Sequence, residues 1–589
     1  MISAKTDTRA AGIAARAYLE RSMVHAQPTP ATFANATWDD IAPWYRDLAE
    51  RPLNPRDTAA IEQWLADWST LESAILEAHS RANVAYSCDT GDPEKEATFL
   101  RFSRDIGPRR NEASVGLANR LLDTGYSRDD LAVTLRKFQT DRALFREENI
   151  PLEQELQATN AEYSKLTGGM TVEWDGDEIP LPRLAKYLLD PDRDIRERAF
   201  RLQFAPYIEQ RDALADIFDR QLRLRQQIAR NAGYETYLDY TFDAKHRYSY
   251  DAVDCRAWHE AVEATFVPAV GRRLERRKQL MGVATLRPWD TDHDPLGRPA
   301  LRPYAHVDEL TGKAATIFAN VDPALGAQFQ TMIDESLLDL ESRKGKRPGG
   351  FCTSFPTSRR PFIFMNASGV ARDVRTLLHE AGHAFHSFAA FDLPYLFQRH
   401  PGSEMAEVAS MSMELLAAPN LAEREGGYYE EADYRRARVD HLEGILALLP
   451  WVATVDAFQH WLYTSLDATD RDARDAYWRE LWDRFDPHAD WSGLEAERTA
   501  RWYKQLHIFL YPFYYIEYGI AQLGALQVWR NSLTNHEQAV ADYRRALALG
   551  GTRPLPELFE AAGARLIFNA DGMGELTDLI EREIAALEA

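Results

Sequence analysis

Along most of the chain, apolar residues recur three and four positions apart with charged residues between them. That is the pattern of amphipathic helices packed on a common core. Thr58–Ala82 and Asp212–Asn231 are long examples, and from Asp190 onward one such segment follows another. The pattern changes at two places. Met170–Leu181 alternates apolar and polar residues on either side of Asp175-Gly176, a pair suited to a two-residue hairpin turn. Gly349–Asn366 holds two short β-rich runs joined by a Pro/Ser/Arg turn. The pattern therefore predicts a mainly α protein with a hairpin and one small sheet. The hairpin and the following Asp190-Pro191 suggest a boundary, with an N-terminal helical domain over residues 1–189 and a larger one over 190–589.

Composition narrows the possibilities. With 45% hydrophobic and 27% charged residues the chain has the balance of a globular protein, not a disordered one. Its net charge of −22 argues against a sequence-independent grip on nucleic acid, which requires a basic surface. The basic run Arg272–Lys278 is expected to be a solvated helix face. Cys88, Cys255 and Cys352 form no C-x-x-C, so neither a disulfide framework nor a cysteine metal site is expected, and the thiols read as structural or incidental. No secretory segment opens the sequence, and the most apolar internal run, Ile445–Val455, falls well short of the ~20 residues of a membrane span. The expectation is a cytoplasmic protein with no membrane and no nucleic-acid partner.

The strongest chemical signal is His379, Glu380 and His383 in the stretch ARDVRTLLHEAGHAFHSF, an H-E-x-x-H. Residues four apart on a helix share a face about 6 Å along the axis, so two imidazoles can reach one ion. The residue after the first His points about 100° away, which lets a carboxylate reach a water beside the ion without being a ligand. Val374, Leu378, Ala381 and Phe385 give the same helix an apolar face, and Asp373 sits where its charge suits the N-terminus.

A catalytic zinc needs a third protein ligand. His386 and Ala389 stand where the extended H-E-x-x-H-x-x-G-x-x-H pattern requires Gly and His, so that arrangement is excluded. His386 lies roughly 10 Å along the axis from His379 and suits a supporting position better than ligation. The next helix, Ser403–Leu416, carries Glu404, Glu407 and Glu414 near one face among Met405, Val408, Met411 and Met413. Any of the three glutamates could complete the set. Further on, HIFLYPFYYIEYG brings His507, Tyr511, Tyr514, Tyr515 and Tyr518 into one aromatic stripe at helical spacing. Its phenols and imidazole need hydrogen-bond partners if buried, and near a metal they would stabilise an oxyanion.

Taken together, RPGGFC, PFIFMN, TLLHEAGHAFH, AEVASMSMELL and HIFLYPFYYIEYGIAQLGA resemble the M3 family of zinc oligopeptidases, and within it the bacterial oligoendopeptidase F group, over roughly residues 190–580. The resemblance implies a zincin-like helical ellipsoid with a deep substrate channel and a small β-sheet next to the metal helix. It implies one zinc ion on His379, His383 and Glu407, with Glu380 as general base. Tyr518 and His507 would act on the reacting carbonyl, and Tyr515 and Tyr511 would face substrate. Gly349, Gly350 and Phe351 would open a strand edge to the peptide backbone, while Glu414 and His386 would support the ligands. The implied partners are short unfolded peptides, cut internally. Two other readings stay open at this point: a metallocarboxypeptidase or dipeptidyl carboxypeptidase on a related scaffold, and a silent peptide-binding protein.

Overall fold

The computed structural model describes residues 27–589. The chain is mostly helical, with a two-stranded hairpin and a three-stranded sheet among the described residues. In chain order, the elements that position the functional side chains begin with helix α1 (Thr58–Cys88), hairpin strands β1 (Thr171–Trp174) and β2 (Asp177–Pro180), and helix α2 (Ala252–Met281). Strands β3 (Leu338–Glu341), β4 (Phe351–Phe355) and β5 (Arg360–Ala367) come next, then helices α3 (Ala371–Ala390), α4 (Ser403–Ala417) and α5 (Glu431–Thr464). The last are α6 (Leu506–Leu510), α7 (Tyr515–Thr534) and α8 (Ala570–Glu588). Among the described residues the polypeptide forms two compact units that interleave along it, one from residues 27–142, 305–401 and 541–554, the other from 143–304, 402–540 and 555–589.

The first unit is organised around α1, which buries Ile61, Trp64, Leu65, Trp68, Leu71 and Ile75 against the neighbouring helices. Glu72 is buried in the same helix and accepts hydrogen bonds from Tyr45 Oη at 2.7 Å and Trp68 Nε1 at 3.1 Å, which offset the cost of removing a carboxylate from water. The sheet has the order β3–β5–β4. β5 is central, and Phe362, Ile363, Phe364 and Met365 are all buried, as a strand covered on both faces requires. β4 pairs antiparallel with β5, matching the expected pair of runs. β3 pairs parallel on the other side and has no counterpart in the sequence pattern, because Leu-Asp-Leu-Glu is four residues long and half charged. α3 follows β5 directly. Asp373 Oδ2 accepts from the backbone N–H groups of Ser368 at 2.7 Å and Val370 at 3.0 Å, fixing the turn that starts the helix.

The second unit contains the hairpin, whose turn residues Asp175 and Gly176 both have positive φ, 54° and 91°, as the twist of a two-residue turn demands. Trp174 stacks on Tyr187 with ring centroids 4.1 Å apart and caps a small satellite core. α5 runs 34 residues through the middle of this unit, with Pro450 inside it. It is long and apolar enough to span a membrane by length and composition, but 72% of its most apolar stretch is buried within the protein. The Arg272–Lys278 run keeps Arg272 and Arg276 exposed, as a solvated face does, but it also pairs with distant acids. Arg272 pairs with Glu581 at 2.6 Å, and Arg273 pairs with Glu443 at 2.7 Å and Glu588 at 2.6 Å, so the run ties α2 to α5 and α8. Helical spacing alone hides this role, because the acidic partners lie far away in sequence.

Candidate metal centre

α3 presents His379 and His383 one turn apart, their ring centroids 5.0 Å from each other and nearly perpendicular at 85°. Glu380 is buried on the same helix, together with Leu377, Leu378 and Ala381. Glu407 belongs to α4, in the second unit. Two imidazoles one turn apart can share an ion, and together with a carboxylate they make the donor set that suits zinc and related divalent ions.

The three glutamates of α4 have different surroundings. Glu404 accepts from Tyr250 Oη at 2.6 Å, and its carboxyl is pushed up by burial and by Glu517. Glu414 lies on a half-buried surface with its carboxylate 3.2 Å from His441 Nε2. Glu407 is buried, accepting from Ser410 Oγ at 2.9 Å and, at 3.5 Å, from Tyr514 Oη. His386 is buried, and burial with His383 and His400 nearby pushes its imidazole down to about 3. Its Nε2 has no hydrogen-bond partner among the described residues.

The aromatic stretch differs from the single helical stripe expected. α6 ends at Leu510, Tyr511 takes φ −135° and ψ 62° ahead of Pro512, and α7 begins only at Tyr515. A residue before proline is driven out of the α region, which accounts for the break. Phe513 then adopts φ 61° and is held there by its N–H on Gln459 Oε1 and its carbonyl on Arg247 Nη2. This bend carries Tyr514 to Glu407, a contact a continuous helix would not have suggested.

His507, Tyr514, Tyr515 and Tyr518 nonetheless cluster. The His507 ring is 4.7 Å from Tyr515 and 6.3 Å from Tyr518, and Tyr514 is 5.1 Å from Tyr518. Tyr515 Oη accepts from Trp451 Nε1 at 3.0 Å. Burial, with the Glu407 carboxylate adding to it, holds the Tyr514 and Tyr518 phenols well above their ordinary range, so both stay protonated donors. Burial and the Lys245 ammonium push the His507 imidazole down to about 4. Gln505 Nε2 lies 2.9 Å from His507 Nδ1, and an amide donating there leaves the ring proton on Nε2. Tyr511 is 57% exposed, and its ring centroid lies 6.1 Å from that of His507. Just after Gly350, Phe351 opens β4, an edge strand of the sheet, and stacks on Phe364 at 4.9 Å.

Known proteins give an independent view of the same chain. The most similar relatives include the chromosomal oligoendopeptidase F of Lactococcus lactis subsp. cremoris, 24% identical over 333 residues, or 55% of this chain and 52% of that protein. An oligoendopeptidase F homolog of Borreliella burgdorferi is 22% identical over 63% of this chain and 62% of its own length. The match thus spans between half and two thirds of the length of these two relatives. Among solved structures, PZ peptidase A with an inhibitor superposes with a TM-score of 0.83 at 25% identity, covering 94% of this chain and 98% of that one. The profile of peptidase family M3 matches residues 186–576, about two thirds of the sequence and the whole stretch from the hairpin's exit to α8. The chain belongs to peptidase family M3.

Proposed function

We propose that this protein is a zinc-dependent endopeptidase that hydrolyses internal bonds of short, unfolded peptides. The observation that carries the reading is the pair of imidazoles His379 and His383 one turn apart on α3, with Glu380 next in sequence to the first and buried, in a chain of peptidase family M3; Glu407 on α4 would complete the ligand set. The donor chemistry fits a single divalent ion, and a buried carboxylate such as Glu407 calls for a cation near it. Bound there, zinc would polarise the scissile carbonyl and lower the pKa of a water beside it. Glu380 takes the proton of the attacking water and delivers it to the leaving amine. Tyr518 and Tyr514, kept protonated by burial, donate to the oxygen that gains charge, and the neutral His507 offers its Nε2–H beside them. Tyr515 and Tyr511 line the substrate side. The edge strand β4, which starts at Phe351 just after Gly350, accepts the peptide main chain as an added strand. Ser410 holds Glu407 in orientation, and Glu414 and His386 support α4 and α3 from behind.

Peptides of graded length with both ends blocked, incubated with the zinc-loaded protein and read by mass spectrometry, test the reading. Internal cleavage with an upper length limit is expected. Blocked peptides left intact while free-ended ones lose terminal residues would make the protein an exopeptidase instead.

A further inference from the structure

Two helices of the second unit, α2 and α5, pack against each other and bury a second group of ligand-type side chains. Cys255 and His259 are four residues apart on α2, and Asp456 and His460 are four apart on α5, so each pair shares a helix face. One potential ligand atom from each of Cys255, Asp456 and His460 lies within 4.8 Å of the other two. His259 Nε2 is 2.8 Å from Asp456 Oδ2. Cys255 and Asp456 have no exposed surface, and His259 and His460 are 4% and 7% exposed.

The hydrogen bonding of this group is incomplete. Among the described residues, Asp456 Oδ1 and both ring nitrogens of His460 lack a hydrogen-bond partner, although His460 Nε2 approaches Asp456 Oδ2 to 3.2 Å. Unsatisfied polar atoms this deep are costly and call for an explanation. The charge is equally unbalanced. No lysine or arginine forms an ion pair with Asp456 among the described residues. A buried carboxylate with no lysine or arginine partner, set among two imidazoles and a thiol, suits a cation.

We propose that Cys255 Sγ, Asp456 and His460 bind a second divalent transition metal ion, of which zinc is the best match to one thiolate, one carboxylate and one imidazole. His259 donates its Nε2–H to Asp456 Oδ2 and so turns Oδ1 toward the ion. Cys255 releases its thiol proton on binding, and the two negative ligands then neutralise the divalent charge, so that the buried assembly is neutral overall. The ion would clamp α2 to α5. Its effect would extend to the bend after α6, because His460 packs on the Phe513 ring at 5.8 Å and the adjacent Gln459 accepts from the Phe513 N–H. The proposal does not depend on the peptidase reading.

Cobalt supplied during expression tests it, since a cobalt–thiolate bond absorbs in the near ultraviolet independently of activity. The full chain is first made as His379→Ala/His383→Ala to remove the other candidate centre. It is expected to retain about one Co²⁺ per chain and to show the thiolate band. Cys88→Ser/Cys352→Ser in that background should keep both, whereas Cys255→Ser and, separately, Asp456→Asn should lose the ion. Far-UV circular dichroism confirms that each variant is folded. Retention of no Co²⁺ in the folded His379→Ala/His383→Ala protein would overturn the proposal. So would a thiolate band that is absent, or that disappears with Cys88 and Cys352 and not with Cys255.

Discussion

His507 shows how environment sets the role of a single side chain. Burial and Lys245 push its imidazole down to about 4, so across pH 5–8 it is neutral and its Nε2–H is a donor that does not titrate. The sign follows directly: a histidine with a depressed pKa charges only when the pH falls below that value, so it cannot supply an acid limb near neutrality. Replacing it with Asn is expected to lower kcat/KM by about tenfold or more, the scale of one lost donor. The pH of half-maximal kcat/KM on the acid side should stay where it is in the parent protein. A displaced acid limb in His507→Asn, followed as kcat/KM between pH 5 and 8, would contradict this role. Tyr514 illustrates what residue-by-residue reading misses. It belongs to the aromatic run, but its place beside Glu407 depends on the left-handed Phe513 and the break at Pro512, and neither is encoded in helical spacing.

At the level of elements, α4 and α7 have to lie close, because one carries Glu407 and the other Tyr515 and Tyr518. Gly524 on α7 allows this. A Cβ there would come within 2.8 Å of Val408 Cγ2 on α4 and 2.8 Å of Phe559 Cε1. Gly524→Ala is therefore expected to destabilise the protein by about 1–3 kcal/mol through overpacking, despite the better helix propensity of alanine. Urea unfolding would measure it, and an unchanged or raised midpoint would show that the neighbours give way freely. The elements most legible in the sequence are those governed by local chemistry. Asp175-Gly176 announces the hairpin, the two β-rich runs within Gly349–Asn366 announce β4 and β5, and the H-E-x-x-H helix is readable with its ends within two residues. β3 is not legible, because its only strand signal is its pairing with β5, and the pairing is visible only in three dimensions. The proximity of Cys255 to His460 is hidden for the same reason: about two hundred residues of chain separate helix faces that meet.

For the molecule as a whole, the charge of −22 is not offset by a free basic run, since Arg272 and Arg273 are committed to acids on other helices. A field of that sign attracts cationic substrates at low ionic strength and is screened as salt rises. Of two peptides differing only in Lys for Glu away from the cleaved bond, the basic one is expected to show the higher kcat/KM in dilute buffer, with the gap closing toward physiological salt. Equal values at low salt would remove electrostatic selection. The peptidase reading itself rests on two histidines one turn apart and a buried glutamate on α3 of a family M3 chain, with Glu407 proposed as the third ligand. It is tested by comparing the zinc-loaded protein with Glu380→Gln on an internally quenched peptide whose ends are both blocked, with zinc content measured on each sample. Zinc retained in the variant and hydrolysis reduced by about 10²–10⁴-fold is the expected result. Undiminished hydrolysis by Glu380→Gln, or hydrolysis by the parent protein that survives complete removal of the metal, would contradict it.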